Sequence, residues 1–140
     1  MFKAILIIFF LSISNILLAQ IADEKILGTY LSPKKNAKIL IYKNEGKFFG
    51  KFIWLEKPDK DTKNPDESLR DREVLGMIFL KDFKSNGNHS WNNGSIYDPE
   101  SGVTYKSKAW FEENNFTKLY LRGFVGFSLL GRTEVFERVN

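Results

Sequence analysis

The chain lacks cysteine entirely and contains a single histidine, His89. The absence of cysteine excludes disulfides, a lipid-modified cysteine and thiolate metal sites. One imidazole cannot build a histidine metal cluster, and His89 follows the turn-forming pair Gly87 and Asn88, which indicates a solvated turn residue rather than a catalytic base. We therefore predict no metal and no cofactor, and stability must come from an apolar core.

An excess of one charge is also missing. The chain has 21 Lys and Arg against 17 Asp and Glu, a net charge of +4 at pH 7. Opposite charges alternate along the chain, whereas nucleic-acid binders gather basic residues on one face with aromatic residues between them. We predict a mixed, solvated surface and no nucleic-acid partner.

The first 19 residues have the layout of an export signal. Lys3 precedes an apolar run from Ala4 to Leu11, and polar and small residues follow as far as Ala19. This layout is typical of a secretory signal peptide, and the polar interruptions make the run too short to span a bilayer stably. We expect cleavage after Ala19, export to the periplasm or the extracellular medium, and a single mature domain over residues 20–140. The bulky Leu17 leaves an uncleaved membrane anchor open as the alternative.

The remaining chain shows apolar residues with a period of two, which indicates β-strands. The predicted strands are 26–31, 37–43, 47–55, 74–80, 95–97, 103–111, 116–122 and 132–139. Turn-forming residues separate them, most clearly between Asp98 and Gly102. No long amphipathic helix is evident. We predict an all-β, antiparallel, up-and-down barrel of about eight strands, since closure removes both exposed sheet edges.

The two ends of this domain resemble the lipocalin-like arrangement, in which an aromatic residue of the first strand packs under an arginine of the last. The residues are Gly28, Tyr30 and Arg138, with Tyr30 in place of the usual tryptophan. We predict that they close the barrel through a cation–π contact and do not form a ligand site.

The strand predicted at 47–55 is apolar on both faces, so it is covered on both sides or lines a cavity. A pocket combines an apolar lining with a few polar anchors. We assign the ligand-stacking surface to Phe48, Phe52, Trp54 and Trp110, and the polar anchors to Arg70, Arg72 and Lys51. The expected ligand is a small apolar or amphipathic molecule. The same aromatic residues would alternatively fill a solid barrel.

The longest irregular stretch spans residues 56–72. Four of its side chains offer oxygen ligands, Asp59, Asp61, Asn64 and Asp66, but their spacing fails the calcium-binding EF-hand pattern. We interpret the stretch as a solvated loop pinned by charge pairs from Arg70, Asp71 and Arg72. A carboxylate and arginine site for a polar ligand is the alternative.

Six sequence blocks occur in an order that covers nearly all of the mature chain. They are 46–55 (GKFFGKFIWL), 61–66 (DTKNPD), 69–72 (LRDR), 75–76 (LG), 94–105 (GSIYDPESGVTY) and 122–126 (RGFVG). Together they resemble an uncharacterised family of small, exported bacterial proteins called domain of unknown function 2147. The resemblance implies no established activity. Tyr30 and Phe136 stand where the family favours tryptophan, and both keep an aromatic ring.

A cell-envelope hydrolase is the rival to a binding protein. It would use a carboxylate pair as acid and base, either Asp98 with Glu100 or Asp61 with Asp66. Asp98 already has a sufficient structural role at the start of its turn. We therefore favour a protein without enzymatic activity.

The glycine-rich segment from Gly123 to Gly131 is the last candidate functional feature. Its apolar side chains would form a lid, contact a membrane, or dock a protein partner if the barrel is solid. An ordinary hairpin that caps the core is the structural alternative.

Overall fold

The computed structural model describes residue 13, residues 23–127 and residues 129–139. Apart from Ile13, the predicted signal peptide and its cleavage site lie outside the described residues. Among the described residues, no helix has the length and apolar character needed to cross a membrane.

In the described part of the chain, eight antiparallel strands form one closed barrel, in which neighbours in sequence pair and the last strand pairs with the first. They are β1 (Gly28–Leu31), β2 (Ala37–Asn44), β3 (Lys47–Leu55), β4 (Ile78–Gly87), β5 (Ser90–Asp98), β6 (Val103–Glu112), β7 (Asn115–Phe124) and β8 (Gly131–Arg138). The same residues include two 3₁₀ helices, Glu24–Ile26 before β1 and Glu67–Leu69 after β3. The predicted up-and-down, all-β barrel is confirmed.

The predictions for β4 and β5 were wrong in position and length. Residues 74–77 belong to the preceding loop, and β5 begins at Ser90 rather than at residue 95. Both strands contain register shifts, and Asp82 and Asn93 have positive φ angles of 63° and 58°. Such irregularities break the alternation on which sequence-based strand assignment depends.

One half of the barrel is filled by large side chains. Phe48, Trp91 and Phe111 are buried, and Trp91 makes edge-on ring contacts with Phe48 at 6.2 Å and with Phe111 at 5.7 Å between ring centres. Phe83 lies so close to Gly94 that a Cβ atom there would sit 2.5 Å from the ring. This half is therefore packed to the density of a protein core.

Arg138 closes the barrel at the filled end. It stands opposite Tyr30 in the β1–β8 pairing, with its guanidinium carbon 4.8 Å from the centre of the Tyr30 ring. Its side chain donates hydrogen bonds to the carbonyl oxygens of Lys25 (2.5 Å), Leu27 (2.8 Å) and Phe116 (2.8 Å) and to the Tyr30 hydroxyl (2.7 Å). The Tyr30 hydroxyl in turn donates to the Ile26 carbonyl at 2.8 Å. Gly28, the third residue predicted at the closure, begins β1 opposite Ile41.

We expect Arg138→Lys to lower the free energy of unfolding by about 2 kcal/mol, because an ammonium group cannot satisfy all of the acceptors that the guanidinium reaches. Urea denaturation measures the change. The control is Arg132→Lys, since the Arg132 side chain is 80% exposed and its one ion pair, with Glu134, suits lysine as well. Equal stability of the two variants would contradict this role for Arg138.

Candidate functional site

The other half of the barrel holds a cavity of about 670 Å³. It lies at the end of the barrel that carries the β1–β2, β3–β4, β5–β6 and β7–β8 connections. The apolar part of its wall includes Phe52, Phe79, Ile96, Tyr105, Leu121 and Phe136. Phe52 and Phe79 stack with their ring centres 4.1 Å apart and present a flat aromatic surface. The cavity is thus apolar inside and large enough for a small organic molecule.

Charged side chains surround the mouth of the cavity. They are Lys34, Lys57, Arg132, Glu56, Asp59, Asp98, Glu100 and Glu134. Lys34 pairs with Glu100 at 3.6 Å and Arg132 with Glu134 at 2.8 Å, and all four side chains are at least 36% exposed. The polarity therefore changes from apolar wall to hydrated rim along the axis of the cavity.

The long β3–β4 loop is built around one buried carboxylate, that of Asp61, which is 0% exposed. This carboxylate accepts hydrogen bonds from the Tyr97 hydroxyl at 2.5 Å, the Asn64 amide at 2.7 Å and the Arg72 Nε at 2.8 Å. Because Tyr97 belongs to β5 and lines the cavity, these bonds fasten the loop to the barrel wall. Asp59 and Val74 of the same loop also line the cavity.

The hydrogen bonds to Asp61 determine its charge state. Burial raises the pKa of the Asp61 carboxyl, but the bonds from Tyr97, Asn64 and Arg72 and the positive charge of Arg72 outweigh burial and hold the pKa below its usual range. Burial and the contact with the Asp61 carboxylate raise the pKa of Tyr97 to about 12. The pair therefore consists of a carboxylate and a neutral phenol at neutral pH.

The loop also packs tightly against the β5–β6 turn. A Cβ atom on Gly102, which has a φ angle of 73°, would lie 1.9 Å from the Lys63 carbonyl oxygen. Only glycine permits this approach. Within the loop, the Asn64 carbonyl oxygen accepts a bond from Arg70 Nε at 2.8 Å, and the Asp66 carboxylate accepts one from the Ser68 NH at 3.0 Å.

These contacts correct two sequence-based interpretations. The loop is not simply solvated, because Asp61 and Asn64 are buried. Arg70 and Arg72 do not line the cavity, because their guanidinium groups bind the Asn64 carbonyl and the Asp61 carboxylate. The only sequence signal for this arrangement was the clustering of the blocks at 61–66 and 69–72, which does not identify Tyr97 as the partner.

The position predicted for Trp54 is wrong because β3 contains a β-bulge. Lys38 pairs with Trp54 but Ile39 pairs with Phe52, so Ile53 is an extra residue that shifts the alternation of side chains. Phe52 lines the cavity, whereas Trp54 is 40% exposed with the Lys38 ammonium 5.5 Å from its ring centre.

Phe48, Trp110 and Lys51 also lie away from the cavity lining. Phe48 is part of the filled half of the barrel. Trp110 lies between the buried residues Ala109 and Phe111, so it faces outward, where it stacks on Tyr120 at 5.6 Å. The Lys51 ammonium lies over the Tyr42 ring. Of the residues predicted to contact the ligand, Phe52 alone is found among the described lining residues; Phe79, Ile96 and Phe136 also line the cavity and were not assigned to it from the sequence.

The acidic residues form no evident metal centre. Among the described residues, no group of three or more His, Asp or Glu side chains is placed to hold an ion. The Asp98 carboxylate accepts hydrogen bonds from the Glu100 NH at 2.9 Å and the Ser101 hydroxyl at 2.7 Å, both within its own turn.

Of the segment from Gly123 to Gly131, residues 123–127 and 129–131 are described and lie at the β7–β8 hairpin end beside the mouth of the cavity. Gly123, Phe124, Val125, Leu130 and Gly131 line the cavity. Its apolar side chains beyond the wall are exposed to solvent and do not cap the core.

Comparison with known proteins supports this architecture. A family model described as an uncharacterized protein conserved in bacteria, domain of unknown function 2147 (DUF2147), matches residues 28–138. The chain belongs to this DUF2147 family. The resemblance inferred from the six sequence blocks is therefore confirmed.

A solved structure extends the DUF2147 comparison to the fold. The protein HP1028 from Helicobacter pylori, described as belonging to the lipocalin family, is 25% identical to this chain with a TM-score of 0.75. The match covers 82% of this chain and 83% of that chain. The barrel is therefore lipocalin-like. No curated protein matched the chain.

We expect Asp61→Asn to lower the free energy of unfolding at pH 7 by about 2 kcal/mol, because the Arg72 charge loses its buried partner. The folded-state pKa of Asp61 is lowered, so its contribution is complete above the unfolded pKa of about 4 and is lost as the pH falls through the folded pKa. The difference in the free energy of unfolding between wild type and variant should become smaller as the pH is lowered from 7. Urea denaturation at pH 7 and at lower pH measures it. The control is Asp71→Asn, since Asp71 is exposed. A stability difference between wild type and Asp61→Asn that does not change with pH would contradict the stabilising role of the Asp61 charge.

Proposed function

We propose that this DUF2147 protein binds a small apolar or amphipathic molecule in the cavity of its barrel. The observation that carries the proposal is the division of the interior into a filled half and a hollow half. Barrels of about eight strands either fill with side chains or hold one small ligand. Here the volume of about 670 Å³ lies in the range of ligand pockets, which is roughly 300–1,000 Å³.

The chemistry of the cavity supports an amphipathic ligand. Stacked Phe52 and Phe79 offer contact area to a hydrocarbon chain or a ring, and Ile96 and Phe136 extend the apolar wall. A polar end of the ligand would remain at the rim, close to Lys57 and Glu56, where it stays hydrated. Removal of the apolar part from water would supply most of the binding free energy.

The contacts of the carboxylates favour binding over hydrolysis. Asp98 accepts hydrogen bonds from its own turn, and Asp61 is paired with Arg72 inside the β3–β4 loop. The contacts of both carboxylates are therefore those of structural groups, which favours a structural role over a role as catalytic acid or base. Export through residues 1–19 is part of the proposal, with binding in the periplasm or outside the cell.

Titration with a dansyl-labelled fatty acid tests the binding proposal, since the probe brightens when its environment becomes apolar. We expect Ile96→Trp to weaken binding by about tenfold or more, because the larger side chain occupies the cavity. The matched control is Ser95→Trp, at the next position of β5, which faces the opposite side of the sheet and pairs with Lys81 and Lys106. We expect the control to bind like wild type.

Binding that survives in Ile96→Trp would overturn the cavity as the site. A wild-type protein that binds neither the dansyl fatty acid nor the neutral probe phenylnaphthylamine would overturn the proposed function. Thermal unfolding of each variant checks that a loss of binding does not come from a loss of fold.

A second substitution pair tests the corrected orientation of β3. We expect Phe52→Ala to weaken binding of the dansyl fatty acid several-fold, because it removes part of the stacked aromatic surface. Trp54→Ala, two residues along the strand, should leave the affinity within about twofold of wild type because Trp54 lies outside the barrel. A greater loss in Trp54→Ala than in Phe52→Ala would reverse this assignment.

A further inference from the structure

The β7–β8 hairpin ends in an exposed apolar tip. Val125, Phe127, Leu129 and Leu130, which we call the apolar tip, are 63%, 75%, 88% and 68% exposed. The Val125 NH donates to the Leu130 carbonyl at 3.3 Å, and the Leu130 NH donates to the Phe127 carbonyl at 3.0 Å. The tip is thus a turn that holds apolar side chains in water, an arrangement that indicates a binding partner.

The apolar tip is continuous with the cavity. Val125 and Leu130 belong both to the tip and to the cavity lining, and Phe124 continues the lining inward. An apolar surface therefore runs from the end of the hairpin to the interior of the barrel. A ligand that followed this surface would have little contact with water.

The size of the tip favours a lipid surface over a protein partner. Four side chains expose roughly a few hundred Å² of apolar surface, whereas a stable protein interface buries about 800 Å² on each partner. A lipid surface does not need such an area, since it accepts short apolar projections without shape complementarity.

Arginines at the base of the hairpin fit the polar layer of a lipid surface. Arg122 holds the hairpin through bonds to the Leu129 carbonyl at 3.2 Å and the Thr133 hydroxyl at 2.9 Å, and the Arg132 side chain is 80% exposed. Arg132 lies beside the tip as well, where it pairs with Glu134 at 2.8 Å. Long basic side chains next to an inserted apolar segment extend toward water and reach the phosphates, so these two arginines suit the edge of an inserted tip.

We propose that the apolar tip inserts into a phospholipid surface and that the cavity exchanges its ligand directly with that surface. The second part rests on the proposed ligand-binding function, while the first does not. Arg122 and Arg132 beside the tip are the reason to test membranes that contain anionic lipids.

Flotation with vesicles tests insertion. The vesicles contain phosphatidylcholine with about one quarter phosphatidylglycerol, a content that gives a clear anionic surface. We expect wild type to float with them and Phe127→Asp to lose about tenfold or more of the vesicle-bound fraction, because a charge replaces the apolar anchor. Ile53→Asp is the control, since Ile53 is also an exposed apolar residue, at 40%, but lies on the barrel wall. It should float like wild type.

Binding and transfer of the dansyl fatty acid separate the two proposals. In vesicle-free solution, Phe127→Asp should bind the probe like wild type, because Phe127 does not line the cavity. When the probe starts in vesicles, its transfer to wild type should be several-fold faster than its transfer to Phe127→Asp.

Two results of the flotation test would overturn insertion. The first is a wild-type protein that stays out of the floating fraction, in which case a protein partner would explain the tip. The second is a Phe127→Asp variant that floats as well as wild type. Equal transfer rates for both proteins would overturn direct exchange. A wild type that binds neither the dansyl fatty acid nor phenylnaphthylamine in solution would overturn the ligand-binding function, and flotation would report on insertion independently.

Discussion

The closure of the barrel depends on one short seam and one arginine. Among the described residues, the β1–β8 register pairs Tyr30 with Arg138 and Leu31 with Glu137, and the Val139 NH donates to the Thr29 carbonyl at 2.9 Å, whereas β7 and β8 pair over most of their length. So few backbone contacts would hold the seam weakly. The Arg138 side chain compensates because it binds the segment before β1, the Tyr30 hydroxyl and the Phe116 carbonyl at once. A network of charge-assisted hydrogen bonds thus stabilises the barrel at the seam where few residues pair.

This closed end explains how the opposite end can be hollow. Trp91, Phe48 and Phe111 bury the large aromatic surface on which the fold depends. The walls of the hollow half contribute less packing, since many of their side chains face the cavity on one side. The β3–β4 loop supports them instead, through the hydrogen bond that the Tyr97 hydroxyl donates to the Asp61 carboxylate. The residues that stabilise the fold therefore lie in one half of the barrel, and the cavity open to a ligand lies in the other.

Much of this fold was predictable from the sequence, because alternation and turn residues are local. The pairing of Tyr30 with Arg138 was predictable from the resemblance to the lipocalin-like arrangement, since the first and last strands contain the two residues. The outward position of Trp54 was not, because the bulge at Ile53 depends on how β2 and β3 pair rather than on the alternation within either strand. The structural role of Asp61 was not predicted for a similar reason: its partner Tyr97 lies 36 positions later, and a loop rich in charge resembles a solvated one.

The contact of Gly102 with the Lys63 carbonyl makes two distant segments a single module. The β3–β4 loop approaches the left-handed turn so closely that a side chain at position 102 would clash with the loop backbone. Transplanting the loop into another barrel would therefore require transplanting the β5–β6 turn with it. A change of length in one segment calls for a matching change in the other, so these two connections at the mouth have to be redesigned together.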